Sequence, residues 1–264
     1  MLLADVVRRR QRGLRHPVED FLFDYYSVRP GQLSTWHPGI GIALQDAPEF
    51  SGRRWYVRDD DLVHLDDRAL GAARQTAARQ AAILLRATAD RPARFTCFGM
   101  HEWAMVYGLP EGDTRHPFLP LRYPPDELAG IVERVGVRCS HFDAFRFFTP
   151  DAVPLNAFRP TRETQVDLDQ PGCLHVTMDL YKWAGKLSPA CSSELLLDAF
   201  ELARDVREVD MRASAYDLRE WGHEPIEVEN PAGRAAYATL QRQFTTRAEP
   251  LREAVLAVAR HLAQ

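Results

Sequence analysis

The stretch Pro171-Gly172-Cys173-Leu174-His175-Val176-Thr177-Met178-Asp179-Leu180-Tyr181-Lys182-Trp183-Ala184 decides how the chain is read. After Pro171-Gly172, the apolar residues Leu174, Met178 and Tyr181 recur at three- and four-residue intervals, which predicts a helix with one face in a core. His175 and Asp179 then stand one turn apart on a neighbouring face, the separation at which two side chains hold each other or grip one ion. A polar pair beside a core must be satisfied. In one reading Asp179 orients a buried His175 by a hydrogen bond. In the other the pair belongs to a metal site, because His/carboxylate pairings recur twice upstream.

Working outward, helical spacing of Val18, Phe21, Leu22 and Tyr25 predicts a short helix after His16-Pro17. Leu70, Ala73, Ala77, Ala81, Leu84 and Leu85 predict a long one over residues 66–89, with Asp66 and Asp67 as capping chemistry. Residues 101–107 read as a helix ending at Gly108, and residues 126–135 as another by Leu128, Ile131, Val132 and Val135. Ser188-Pro189 supplies a cap and a first-turn proline for a helix through Val209, followed by an ordered loop over 210–218. Two closing helices are expected at 233–244 and 250–263. Short strands are expected at 40–44 and 55–57, and the alternation across 137–148 places His141 and Asp143 on one face if that segment is extended. The fold class expected is mainly α: a single helical domain over 1–264, with a few short strands, long ordered loops and a basic leader at 1–15.

Composition narrows the function classes. With 45% hydrophobic and 27% charged residues, a chain of 264 residues is long enough to bury a sizeable core. The net charge of −4 argues against a broad electrostatic surface for duplex nucleic acid, because non-specific binding there is largely phosphate neutralisation. Cys97, Cys139, Cys173 and Cys191 are widely spaced without a Cys-x-x-Cys pair, so they read as reduced thiols. The short apolar run at 1–7 precedes Arg8-Arg9-Arg10 instead of following a basic segment, the reverse of the secretory order, and no stretch approaches spanning length. A cytoplasmic protein without membrane contact is expected; oligomeric state is not encoded in any legible way.

Three clusters combine imidazole and carboxylate: His101-Glu102, His141-x-Asp143 and His175-x-x-x-Asp179. Two or three histidines with one carboxylate and an open position form the ligand set of zinc hydrolases and non-haem iron oxygenases. The candidate ligands are therefore His101, His141 and His175, with Asp143, Asp179 or Glu102 completing the shell or serving as acid/base. Such a site would hold a divalent metal, iron or zinc. Trp103, Tyr107, Tyr181 and Trp183 are candidate walls for a planar substrate, and Arg146 and Arg212 candidate clamps for a carboxylate or phosphate, as are Arg159 and Arg162. A Cys173 thiolate working with His175 is disfavoured, since positions two apart diverge on a helix. The chain has no Gly-x-Ser-x-Gly, no phosphate-binding glycine loop and no dinucleotide fingerprint.

Several blocks carry a resemblance: residues 16–23 (HPVEDFLF), 36–39 (WHPG), 101–107 (HEWAMVY), 141–148 (HFDAFRFF), 171–184 and 210–214 (DMRAS). Over most of its length the chain resembles a bacterial, mainly actinobacterial family labelled 3-methyladenine DNA glycosylase. That resemblance implies an enzyme that unstacks a base and holds an electron-poor purine against an aromatic wall beside a carboxylate. Trp103, Trp183 and Asp179 would supply those parts. Nucleic acid is a partner under this reading only.

The leading expectation is a metal-dependent oxidoreductase or hydrolase acting on a small polar or planar substrate. DNA base release, as the resemblance implies, is the alternative. A non-catalytic binding protein with purely structural polar pairs is the third.

Overall fold

The computed structural model describes residues 2–110 and 112–264. Its architecture is mainly helical, as expected, and the helix at the quoted stretch is its centre. That helix, Leu174–Leu187, packs against three longer ones: Ala72–Ala89, Ser193–Arg212 and Pro231–Leu262. Twelve of its residues are buried, leaving only Lys182 and Lys186 outside the buried set. A helix apolar on nearly every side is stable only with neighbours on every side, and burial of such side chains contributes about 1.5–3 kcal/mol each. Close approach requires small residues. A Cβ at Gly185 would meet Val28 Cγ2 at 2.2 Å, and one at Gly172 would meet the Arg94 carbonyl at 2.5 Å.

The helix that follows begins later than its sequence suggests. Ser188-Pro189 forms the turn between the two helices, and Ser192 is the cap, its hydroxyl accepting from the Leu195 amide at 3.2 Å. The helix also ends later: residues 210–212, expected in a loop, form its last turn. Val206, Val209 and Met211 are buried, so the apolar stripe carries the helix past Val209.

The chain closes in one helix, not two. Pro231–Leu262 runs unbroken through Pro250. A proline removes one amide and crowds the carbonyl four residues back. Here Phe244, Ala248, Val255, Leu256 and Ala259 continue the buried stripe across it, and burial outweighs that local cost.

Three strands form a small antiparallel sheet in the order Ala43–Gln45, Leu62–Leu65, Tyr56–Asp59. The central strand was not expected, since Leu62-Val63-His64-Leu65 is short and framed by aspartates. Residues 137–148 are not a strand. Val137 makes one bridge to Asn156, whose side chain also holds the Cys139 amide and carbonyl at 2.8 and 2.9 Å. The chain then enters the helix Phe142–Phe145, so His141 stands at its cap and Asp143 within it, and they do not share a strand face.

The basic leader is itself structured as the helix Leu2–Gln11. Val6 is fully buried, and Arg9 reaches Glu19 at 2.7 Å and Asp20 at 3.0 Å, tying the leader to the body; Met1 lies outside the described residues. All four cysteines are free thiols. Among the described residues no helix is long and apolar enough to cross a membrane.

Candidate functional site

His175 sits in the first turn of the central helix, where its backbone is held by that turn and its ring faces two other elements. One is the short helix Met100–Ala104, entered through Gly99 at φ +70°, a left-handed conformation glycine adopts without strain. That turn aims His101 and Glu102 inward together, and both are buried. The other is the last turn of Ser193–Arg212, which carries Asp210 one turn beyond Arg207.

His101 Nε2 lies 3.2 Å from each carboxylate oxygen of Asp210, and its Nδ1 lies 3.7 Å from Cys97 Sγ. The His175 ring meets the His101 ring edge-on, with centroids 4.5 Å apart. One ligand atom each from His101, His175 and Asp210 lie within 4.8 Å of one another, all buried. Asp210 is fully buried, and its Oδ1 has no hydrogen-bond partner of good geometry. Beside this group Arg207 donates to Glu102 at 2.8 Å, approaches Asp210 at 3.5 Å and stacks 3.9 Å over the Phe21 ring.

The charges follow from that geometry. Burial by itself would lower the His101 pKa, but Asp210, by charge and hydrogen bond, holds it well above the ordinary histidine value. Burial and then the neighbouring His101 push His175 well below it, so His175 is a neutral imidazole. Burial disfavours the Glu102 carboxylate, yet Arg207 outweighs this and keeps its pKa below the usual value. His116, also near Arg207, is lowered to about 4, chiefly by burial.

His141 belongs to a different set. Its ring stacks on His175 with centroids 5.3 Å apart, but its Nε2 faces Asp179 at 3.4 Å. Asp179 also contacts Lys182 and accepts from Tyr26 at 3.5 Å, and Lys182 lies 3.6 Å from Asp143. Asp143 is further bound by Arg162 at 3.1 Å and Arg146 at 3.4 Å. Burial would raise the Asp179 pKa, but Lys182 and His141 together hold it far below the carboxylate range. Thus His175 and Asp179, one turn apart, serve neither each other nor one ion: the first turns to His101 and Asp210, the second to His141 and Lys182.

Of the expected ligands, then, the structure brings His101 and His175 together and sets His141 beside them in the Asp179 cluster. The carboxylate in the group is Asp210, not Asp143, Asp179 or Glu102. Its signal was present as the third residue after Arg207, but it became readable only with the helix extended past Val209. Of the expected aromatic walls, Trp103 is fully buried and donates to the Ala213 carbonyl at 2.8 Å, so it is a core residue. Tyr181 is likewise fully buried. Tyr107 bonds Glu133 at 2.7 Å, Trp183 lines a separate groove with Lys182 and Lys186, and Arg212 binds the Glu224 carbonyl at 2.9 Å.

A small cavity of about 20 Å³ reaches His175, Glu102 and Arg207, with Asp143, Met105 and Phe147 also in its wall. It has room for about one water molecule. An outer cavity of about 290 Å³ shares Phe21, Tyr25, Arg115 and His116 with it, so these four line the neck region where the two adjoin. Neither Arg115 nor His116 stood out in the sequence. His16 lines the outer cavity, whereas His37 lies elsewhere, paired with the Tyr56 hydroxyl at 2.9 Å.

In comparisons with protein-family models, curated proteins and solved structures, the chain matches none.

Proposed function

We propose that His101, His175 and Asp210 hold one divalent metal ion, iron or zinc, and that the protein is a metal-dependent oxidoreductase or hydrolase of small molecules. The observation that carries this is the meeting of three buried ligand atoms within 4.8 Å, next to a cavity. Two imidazoles and one carboxylate with an open position suit both non-haem iron and catalytic zinc. The charge balance agrees. Glu102 and Asp210 carry two negative charges against the one positive charge of Arg207. The remaining negative charge suits a cation, and the Asp210 contact that holds the His101 pKa up favours one here, a proton on His101 or a metal. A metal taking that place releases the proton.

Once bound, such an ion supplies Lewis-acid activation of water or binding of dioxygen. The chain's own groups do the rest. Glu102, ionised and oriented by Arg207, is a general base at the wall of the water-sized cavity. His175 presents a neutral ring there. The outer cavity has room for a small molecule, and Glu102, His175 and Arg207 lie buried beneath it.

The resemblance noted above supports a second reading, release of an alkylated base from DNA. In it the outer cavity, walled by Phe21, Tyr25 and Phe118, receives the base instead of the tryptophans first considered. A purely structural role for the buried polar groups is the third.

Elemental analysis of protein purified without chelators or an affinity tag tests these readings, with His101→Ala, His175→Ala and Asp210→Asn variants checked by circular dichroism. Near-stoichiometric iron or zinc, lost in variants that remain folded, is the expected result. A wild type that stays metal-free after reconstitution overturns the proposal and makes release of 3-methyladenine from alkylated duplex DNA the next assay. Variants that unfold with no metal in the wild type favour the structural role.

A further inference from the structure

The outer cavity carries an uneven distribution of charge. Its two carboxylates are committed: Asp20 to Arg9 at 3.0 Å and to the His16 amide at 2.8 Å, and Asp24 to Arg10. Its two arginines are not. Arg15 and Arg115 line the cavity, and among the described residues neither has a carboxylate within ion-pair distance. Arg115 stands at the neck, with its guanidinium carbon 4.1 Å from the centroid of the Phe147 ring. A cation resting on an aromatic face keeps its in-plane N–H donors free, and that planar fork matches a carboxylate. Below the neck the anionic groups are already occupied, Glu102 by Arg207 and Asp143 by Lys182, Arg146 and Arg162.

Around Arg115 the cavity is apolar and aromatic. Phe21 and Tyr25 stack with centroids 5.1 Å apart and planes 8° from parallel, and Phe118 and Pro117 face the same space. The volume of about 290 Å³ suits a single-ring or short-chain molecule.

The geometry points to Arg115 as the anchor for a small carboxylate-bearing substrate, its apolar body against Tyr25 and Phe118 and its carboxylate at the neck, next to the water-sized cavity at His175. Calling this ligand a substrate rests on the metal-dependent reading; its recognition by Arg115 does not.

The test uses benzoate and its neutral counterpart benzamide as probes, titrated by calorimetry into the full-length protein as isolated and after chelation. Wild type is compared with Arg115→Gln and Arg115→Lys, each checked for fold and metal content. The expected result is benzoate binding that exceeds benzamide binding, survives chelation and falls about tenfold or more in Arg115→Gln, the loss of one charged hydrogen-bonded pair. Arg115→Lys restores it in part, and the metal content of both variants equals that of the wild type. Equal binding of the two probes, unchanged benzoate affinity in Arg115→Gln, or no benzoate binding at millimolar concentrations overturns the anchor. Metal with no Arg115-dependent binding sinks the anchor alone. Arg115-dependent binding with no metal in the wild type sinks the metal reading alone.

Discussion

Two buried networks meet across the stacked rings of His175 and His141, and they differ in how many cations meet their carboxylates. In the first, Asp210 and Glu102 face the single arginine Arg207, and Asp210 also meets His101. In the second, Asp179 and Asp143 face Lys182, with Arg146 and Arg162 at the rim, and the charges are met by the chain itself. Both combine histidine with carboxylate, and by residue type they look alike. Each has a cation between two carboxylates, Arg207 in the first and Lys182 in the second, but only the second adds further ones, Arg146 and Arg162 on Asp143.

The largest effect that can break this contrast is removal of Lys182. Lys182→Met leaves Asp179 buried without its main counter-charge, which costs about 3–5 kcal/mol in denaturant unfolding. Replacing both members, as in Lys182→Met with Asp179→Leu, recovers most of that loss, since no lone charge then stays buried. A single variant as stable as wild type would show that the second network is not held by this pair.

On the other side, His175→Ala and Asp210→Asn should weaken metal binding more than about a hundredfold, or about 3 kcal/mol, beyond what loss of an orienting group costs. Competition with a metal-sensitive dye measures it. Equal loss in His141→Ala would dissolve the distinction between the networks.

A pH effect of no more than about 3 kcal/mol sharpens the comparison further. His116 beside Arg207 titrates at about 4 when folded against an ordinary value near 6.5. Above 6.5 it is neutral in both states and contributes nothing. As pH falls from 6.5 towards 4 the unfolded chain takes up a proton that the folded chain refuses, so stability drops. His116→Gln should flatten that part of the stability profile relative to wild type, and identical slopes for the two proteins would refute the assignment. The smallest effect belongs to His141→Ala, which should change metal affinity by less than about tenfold, as expected of a neighbour and not a ligand.

The helix at 174–187 and the inward face of its histidine were legible because helical period and apolar spacing are local properties. His101 was legible as a candidate from its residue type beside Glu102. Asp210 was hidden by a helix end placed at Val209, whereas burial of the helix's own Val209 and Met211 in the packed core carries the last turn to Arg212. Pro250 was read as a helix start, and only burial on both sides of it shows otherwise. Arg115 and His116 lie in a proline-rich stretch with no periodicity, so nothing local linked them to His175.

By itself the sequence determined the helical class, the central amphipathic segment and the inventory of imidazoles and carboxylates, since these follow from residue type and spacing along one chain. Tertiary structure alone decided which of them meet. His175 and Asp179 lie one turn apart, yet their partners arrive from residues as distant as 101 and 210 on one side and 141 on the other. A pairing across such separations depends on how helices pack, which no spacing along one chain encodes.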